Sequence, residues 1–140
     1  MLHAQKIILA ALLSAISLSA AASSFQVGPM ETTIDSNGNN NTASIEVLNL
    51  DKYPINFEVL VSEYSKDGKA VLKGDAKALT LTNKTFTVAP GGKEVIKAKY
   101  VGIKSDARDE AFLVLVKEVV ETKTGDISIS SAIGSKVVVH

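Results

Sequence analysis

The chain has 140 residues, 46% hydrophobic and 21% charged, with 15 basic and 15 acidic side chains and no net charge. That length allows one domain, and the charge balance leaves no electrostatic footprint for nucleic acid or for an anionic membrane surface. There is no Cys, and the two histidines, His3 and His140, stand near or at the chain ends. Disulfides, thiolate metal sites, a cysteine nucleophile and a Ser-His-Asp triad are thereby excluded.

Residues 1–22 read as a secretory signal peptide. Lys6 precedes the apolar stretch Ile7 to Ala15, which fades into the small residues Ser17-Leu18-Ser19-Ala20-Ala21-Ala22-Ser23. The apolar run is short of the roughly 20 residues a membrane span needs, so no membrane insertion is expected after cleavage behind Ala22. Cleavage leaves a single domain, 23–140, of about 118 residues carrying one net negative charge, because Lys6 is the only charged residue removed. An exported chain without Cys suits a bacterial periplasm better than the small disulfide scaffolds of other secreted proteins.

Along the rest of the chain, apolar residues alternate with period two and no helical period is sustained. Phe25 to Ile34 predicts a weak first strand, interrupted by Gly28-Pro29 as at an edge or bulge. Ile45 and Val47 follow, then Ile55, Phe57, Val59 and Val61, each set alternating with polar residues. Leu79 and Leu81 suggest a short strand, Phe86 and Val88 another, and Ile96, Ala98 and Tyr100 a longer one set against Lys97 and Lys99. Phe112 to Val116 is apolar on both faces, as in a central strand, and Ile127 to Val139 forms a long final strand. Turn residues separate these runs at Ser36-Asn37-Gly38-Asn39, Asp51-Lys52-Tyr53-Pro54, Lys66-Asp67-Gly68-Lys69, Ala89-Pro90-Gly91-Gly92 and Lys123-Thr124-Gly125-Asp126. Seven or eight strands and no helix define an all-β chain, an antiparallel immunoglobulin-like sandwich. The missing Cys and Trp exclude only its antibody-like branch.

Three polar constellations have plainer readings than the chemistry they mimic. Asp35-x-Asn37-x-Asn39 with Glu46 has calcium-loop spacing, but the sixth position is Asn40 rather than Gly, so an Asn-rich hairpin loop accounts for it better. Asp106, Asp109 and Glu110 lie beside Arg108 in a polar stretch and read as a solvated turn, not as acid/base carboxylates in a cleft. The sequons Asn40-Asn41-Thr42 and Asn83-Lys84-Thr85 matter only in a eukaryotic secretory route. The sequence therefore points to no enzyme, no metal and no cofactor.

The final strand is the informative segment. Read with unbroken alternation, Ile127, Ile129 and Ile133 share one face. On a sheet edge, such a strand without charge or Pro offers main-chain groups and apolar side chains to an added strand. The alternative is that these isoleucines fill the protein's own core.

From Phe25 to His140 the chain resembles the N-terminal immunoglobulin-like domain of the periplasmic chaperones of the chaperone–usher pilus pathway. The resemblance rests on Ala43-Ser44-Ile45-Glu46-Val47-Leu48-Asn49, on Phe86-Thr87-Val88-Ala89-Pro90-Gly91-Gly92, on Val95-Ile96-Lys97-Ala98 and on Asp109-Glu110-Ala111-Phe112-Leu113-Val114, in that order and spacing. It implies a non-enzymatic chaperone whose last strand is donated to an incomplete pilus subunit, with an outer-membrane usher as a possible second partner. Carried across, the subunit-binding positions are Ile127, Ile129, Ser131 and Ile133, and Lys136 takes the place of the lysine that anchors the subunit's C-terminal carboxylate. Lys136 is expected at opposite parity to Ile127 and Ile129. The chain departs from the family in three ways. The N-terminal arginine anchor is replaced by Met30, Glu31 or Thr32; Ser131 stands where an apolar residue is expected; and the family's second domain would begin about where this chain ends. The chain is thus read either as a fragment or as a one-domain relative. An exported structural or adhesive domain without strand donation is the alternative.

Overall fold

The computed structural model describes residues 24–37, 41–65, 67–71, 73–103, 109–121 and 127–140, and only the backbone of residues 70, 121 and 127–130. The segment expected to be the signal peptide lies outside these residues. Ten strands are described: β1 (Phe25–Gly28), β2 (Glu31–Ile34), β3 (Thr42–Asn49), β4 (Ile55–Tyr64), β5 (Ala70–Val71), β6 (Leu79–Leu81), β7 (Thr85–Val88), β8 (Lys93–Tyr100), β9 (Glu110–Glu121) and β10 (Ile127–Val139). They form two packed sheets, one ordered β1-β3-β8-β6 and the other β2-β10-β9-β4-β5, with β7 also paired to β4. The immunoglobulin-like sandwich expected from the alternation is the observed fold, and the two-residue β5 is an element that the alternation did not reveal.

Period-two patterning decides what each strand buries. On β3, Ala43, Ile45 and Val47 are buried while Ser44 and Glu46 are exposed; on β8, Ile96, Ala98 and Tyr100 point inward and Lys97 and Lys99 outward. From the other sheet, Phe57, Val59, Val114, Val116, Val137 and Val139 close the core. Each such fully buried side chain stabilises the fold by about 1.5–3 kcal/mol relative to exposure. Phe57 is its aromatic centre, edge-on to Phe25 at 4.9 Å between ring centroids and tilted on Phe86 at 5.5 Å.

Two polar devices hold the strands in place. Asn49 is fully buried and pins one corner: its Nδ2 donates to the carbonyls of Tyr53 (2.8 Å) and Val88 (2.9 Å), and its Oδ1 accepts from the Asp51 amide (2.8 Å). Beside it, the turn Ala89-Pro90-Gly91-Gly92 closes with Gly92 N donating to Ala89 O (2.9 Å), and Gly91 has φ +70°, a conformation that favours a residue without Cβ. The second device is the sheet switch at the N-terminus. β1 pairs antiparallel with β3, but after Gly28-Pro29 the chain crosses to the other sheet, where β2 runs parallel to β10. Proline has no N–H for a ladder, so the break falls there.

Candidate functional site: the open edge of the last strand

β9 lies along the whole of β10, from Ile127 opposite Glu121 to Val139 opposite Glu110. On its other side β10 has β2 only from Lys136 to Val139. That short ladder is fastened at its start: Lys136 N donates to Met30 O (2.8 Å) and Ser135 Oγ to Pro29 O (2.6 Å). Among the described residues, no strand pairs with this edge from Ile127 to Gly134. Eight residues are left open, a length of about 27 Å at the rise of a strand. The Lys136 N–H points to β2, so the N–H groups of Gly134 and Ala132, at the same parity, face the open side. No charged residue and no Pro blunts this edge. A groove of about 600 Å³ opens between β1 and Ile133, lined by Phe25, Val27, Pro29, Met30 and Leu48 among others.

The register of β10 shifts between Ile129 and Ser131, leaving Ser130 as an extra residue in a β-bulge. This overturns the unbroken alternation expected from the sequence. On β9, Phe112, Val114, Val116 and Glu118 are buried, and Leu113, Leu115, Lys117 and Val119 lie part-exposed on the outer face. Ser131 stands opposite Glu118 and Ile133 opposite Val116, both core positions, and Ile133 packs against the core cluster. The hydroxyl of Ser131 is buried with no hydrogen-bond partner among the described residues. Beyond the bulge, Ile129 stands opposite Val119 and Ile127 opposite Glu121, which are outer-face positions. Ile127 and Ile129 therefore do not share a face with Ile133; an extra residue reverses the alternation across it. The side chains of Ile127 and Ile129 themselves lie outside the described residues.

Lys136 stands opposite Leu113, on the outer face. It thus shares the parity of the Ile127 and Ile129 positions, contrary to the expected opposite parity, and the bulge is again the reason. Its ammonium lies over the ring of Tyr64, 5.1 Å from the centroid, within cation–π range. The strand doublet Ser130-Ser131 is the one sign of the bulge in the sequence: serine occupies 131, where the alternation calls for an apolar residue.

Of the acidic residues Asp106, Asp109 and Glu110, the two described ones contact distant parts of the chain, and Glu110 opens β9 rather than lying in a turn. Glu110 accepts from the Tyr100 hydroxyl (3.2 and 3.1 Å to its two oxygens), and Asp109 Oδ1 lies 2.6 Å from His140 Nδ1. Burial, together with the hydrogen bond and charge of Glu110, raises the pKa of Tyr100 above its ordinary value. Asp106, Arg108 and the Asn39–Asn40 part of the calcium-like loop lie outside the described residues. Among the described residues, no cluster of His, Asp or Glu is placed to hold a metal ion, and no helix is long and apolar enough to cross a membrane.

This combination defines the class: an immunoglobulin-like two-sheet sandwich with an N-terminal sheet switch and a last strand half open along one edge. No family model matches the chain, and no curated protein matches it significantly. Solved structures do match. One is the CsuC–CsuE complex of a chaperone with a tip adhesion subunit from the archaic chaperone–usher Csu pili of Acinetobacter baumannii (TM-score 0.65, 11% identity, covering 84% of this chain and 56% of that one). Another is the Salmonella enterica SafA pilin in complex with the SafB chaperone (TM-score 0.62, 15% identity, 84% and 54%). A PapD-like domain of human CEP192 also matches (TM-score 0.56, 8% identity, 83% of each chain). The chain thus has the PapD-like immunoglobulin fold found in the chaperones of the chaperone–usher pathway, and it spans little more than half the length of the chaperone chains it matches.

Proposed function

We propose that the protein is a periplasmic, non-enzymatic chaperone-like module that caps pilus subunits by lending them the open edge of β10. The observation that carries this reading is the eight-residue stretch Ile127 to Gly134, uncharged and paired on one side only. Main-chain groups along such an edge supply affinity for an incomplete sandwich, and side chains at alternate positions supply selectivity. The strip comprises Ile127, Ile129, Ser131 and Ile133, with Lys136 at its closed end, where an added strand meets β2. There the ammonium is available to a C-terminal carboxylate, a charge-assisted contact worth on the order of 1.5–3 kcal/mol. Without an arginine beside it, the contact lacks a bidentate fork. Residues 1–22 act as the export signal, and an outer-membrane usher is a second partner of the loaded module.

The test is to dilute an unfolded pilus subunit of the source organism into buffer with and without the purified protein. A soluble one-to-one complex, with the Ala132 and Gly134 amides newly protected from exchange, is expected. Equal aggregation of the subunit in both samples overturns the reading. It would favour the alternative, an exported structural or adhesive domain without strand donation.

A further inference from the structure

The bulge at Ser130 bears on which residues a partner reads. On the body side of it, Ser131 and Ile133 are opposite Glu118 and Val116, both buried, and Ile133 already packs on the core. Side chains on this inner face are part-buried and turned toward the protein's own interior, which limits their entry into another. On the outer face, the positions in line are Ile127, Ile129, then Ala132, Gly134 and Lys136 past the bulge. Ala132 carries only a methyl group. Gly134 carries nothing, and the space above it is taken: a Cβ there would lie 2.6 Å from Leu113 Cδ1. The outer face thus runs from two large apolar positions, through two small ones of which Gly134 is overlaid by Leu113 of β9, to the Lys136 ammonium on Tyr64.

We propose that the bulge divides the donated strip by role: Ile127 and Ile129 are the positions offered to the subunit, while Ser131 and Ile133 are kept by the protein's own core. This rests on the strand-donation reading and narrows it. The matching groove has two deep apolar pockets rather than a row of four. Against Ala132 the partner must supply its own bulk, because no large side chain of β10 arrives there, whereas over Gly134 the space is already filled by Leu113. Specificity then comes from the spacing between the two pockets and the basic end at Lys136, a span that β10 covers with one residue more than β9, from Ile129 opposite Val119 to Lys136 opposite Leu113.

The chain has no Cys, so single-cysteine variants report each position without background. Ile127→Cys, Ile129→Cys, Ala132→Cys, Ser131→Cys and Ile133→Cys are labelled with a maleimide fluorophore in the native protein, each rate divided by that of the same variant in denaturant. The first three are expected to label at least tenfold faster than Ser131→Cys and Ile133→Cys. Equal labelling at 127, 129, 131 and 133 overturns the proposal, as does protection of 127 and 129. Deleting Ser130 from the Ile129→Cys variant provides a second reading. If the bulge exists, the ladder closes across the gap and residue 129 labels fast with or without Ser130; in a regular strand residue 129 would share the inward face of Ile133, and the deletion would turn it outward and speed its labelling. None of these measurements needs a subunit. A labelling pattern as expected in a protein that captures no pilus subunit would refute strand donation while leaving the division of the strand in place, and the opposite result would refute the division alone.

Discussion

The two ends of β10 are one strand against one neighbour, β9, yet they live in different surroundings. From Lys136 to Val139 the strand is held on both sides, with Val137 and Val139 fully buried and His140 N donating to Ile34 O (2.9 Å) just beyond. From Ile127 to Gly134 it is held on one side only. The boundary is set by Pro29, where the N-terminal segment leaves the first sheet and reaches the second too late to cover the rest of the edge. Closure stabilises one half as part of the body; openness leaves the main-chain groups of the other half without a second neighbouring strand among the described residues.

The sharpest way to break this comparison is to place a carboxylate in each half. Val137→Asp puts a charge into the closed core and should destabilise the protein by about 4 kcal/mol or more, enough to unfold a domain of ordinary stability. Ile129→Asp, at an outer-face position of the open half, should shift stability by no more than about 0.5 kcal/mol and act on subunit capture instead. Urea titration of both variants decides the matter; comparable losses would mean that Ile129 belongs to the core. Amide exchange resolves the same contrast residue by residue. Lys136 and Val138 point their N–H groups toward β2, whereas Ala132 and Gly134 point theirs into solvent, so the latter pair should exchange about two orders of magnitude faster in the free protein.

A subtler probe lies at the junction. Gly134→Val forces a side chain into the space of Leu113 and should cost about 1–3 kcal/mol by overpacking. Adding Leu113→Ala should return part of that loss, because the two changes share one space, and a double-mutant cycle measures the coupling. The smallest effect expected is one of pH, confined to the closed end. Tyr100, bonded to Glu110 beside the last residues of β10, has its pKa raised by burial and by that carboxylate. The folded state holds this proton more tightly than the unfolded chain. Its contribution is therefore fully present below the unfolded value of about 10 and is lost as pH rises through the higher folded value. Thermal melts of Tyr100→Phe should flatten the decline in stability seen above that pH, and a difference between variant and wild type already at neutral pH would have another origin.

Much of the fold is legible along the chain because a half-buried strand must alternate. Ile45 and Val47, Ile55 through Val61, and Ile96 through Tyr100 mark their own buried faces, and Pro90-Gly91 marks a turn that only a residue tolerating positive φ can close. The first eight residues of the final strand were also legible as a strip without charge or Pro. Its internal geometry was not. Ser128 to Ala132 contains neither Gly nor Pro, and the only trace of the bulge is a serine out of phase at 131. Asn49 could be read as the residue ending a strand, but its burial among the carbonyls of Tyr53 and Val88 could not.

Local alternation and turn chemistry by themselves determined an all-β sandwich, and the absence of Cys removed disulfides and thiolate chemistry from it. Only the tertiary structure decided that Phe25 to Gly28 and Glu31 to Ile34 belong to different sheets, that β2 stops short along β10, and that Ser130 reverses the faces of what precedes it. The physical reason is the range of the interactions. Side-chain periodicity is set by a residue's immediate neighbours, whereas an open edge and a register shift depend on pairing between Lys136 and Glu31, or Ser131 and Glu118, and on where the chain between them has room to run.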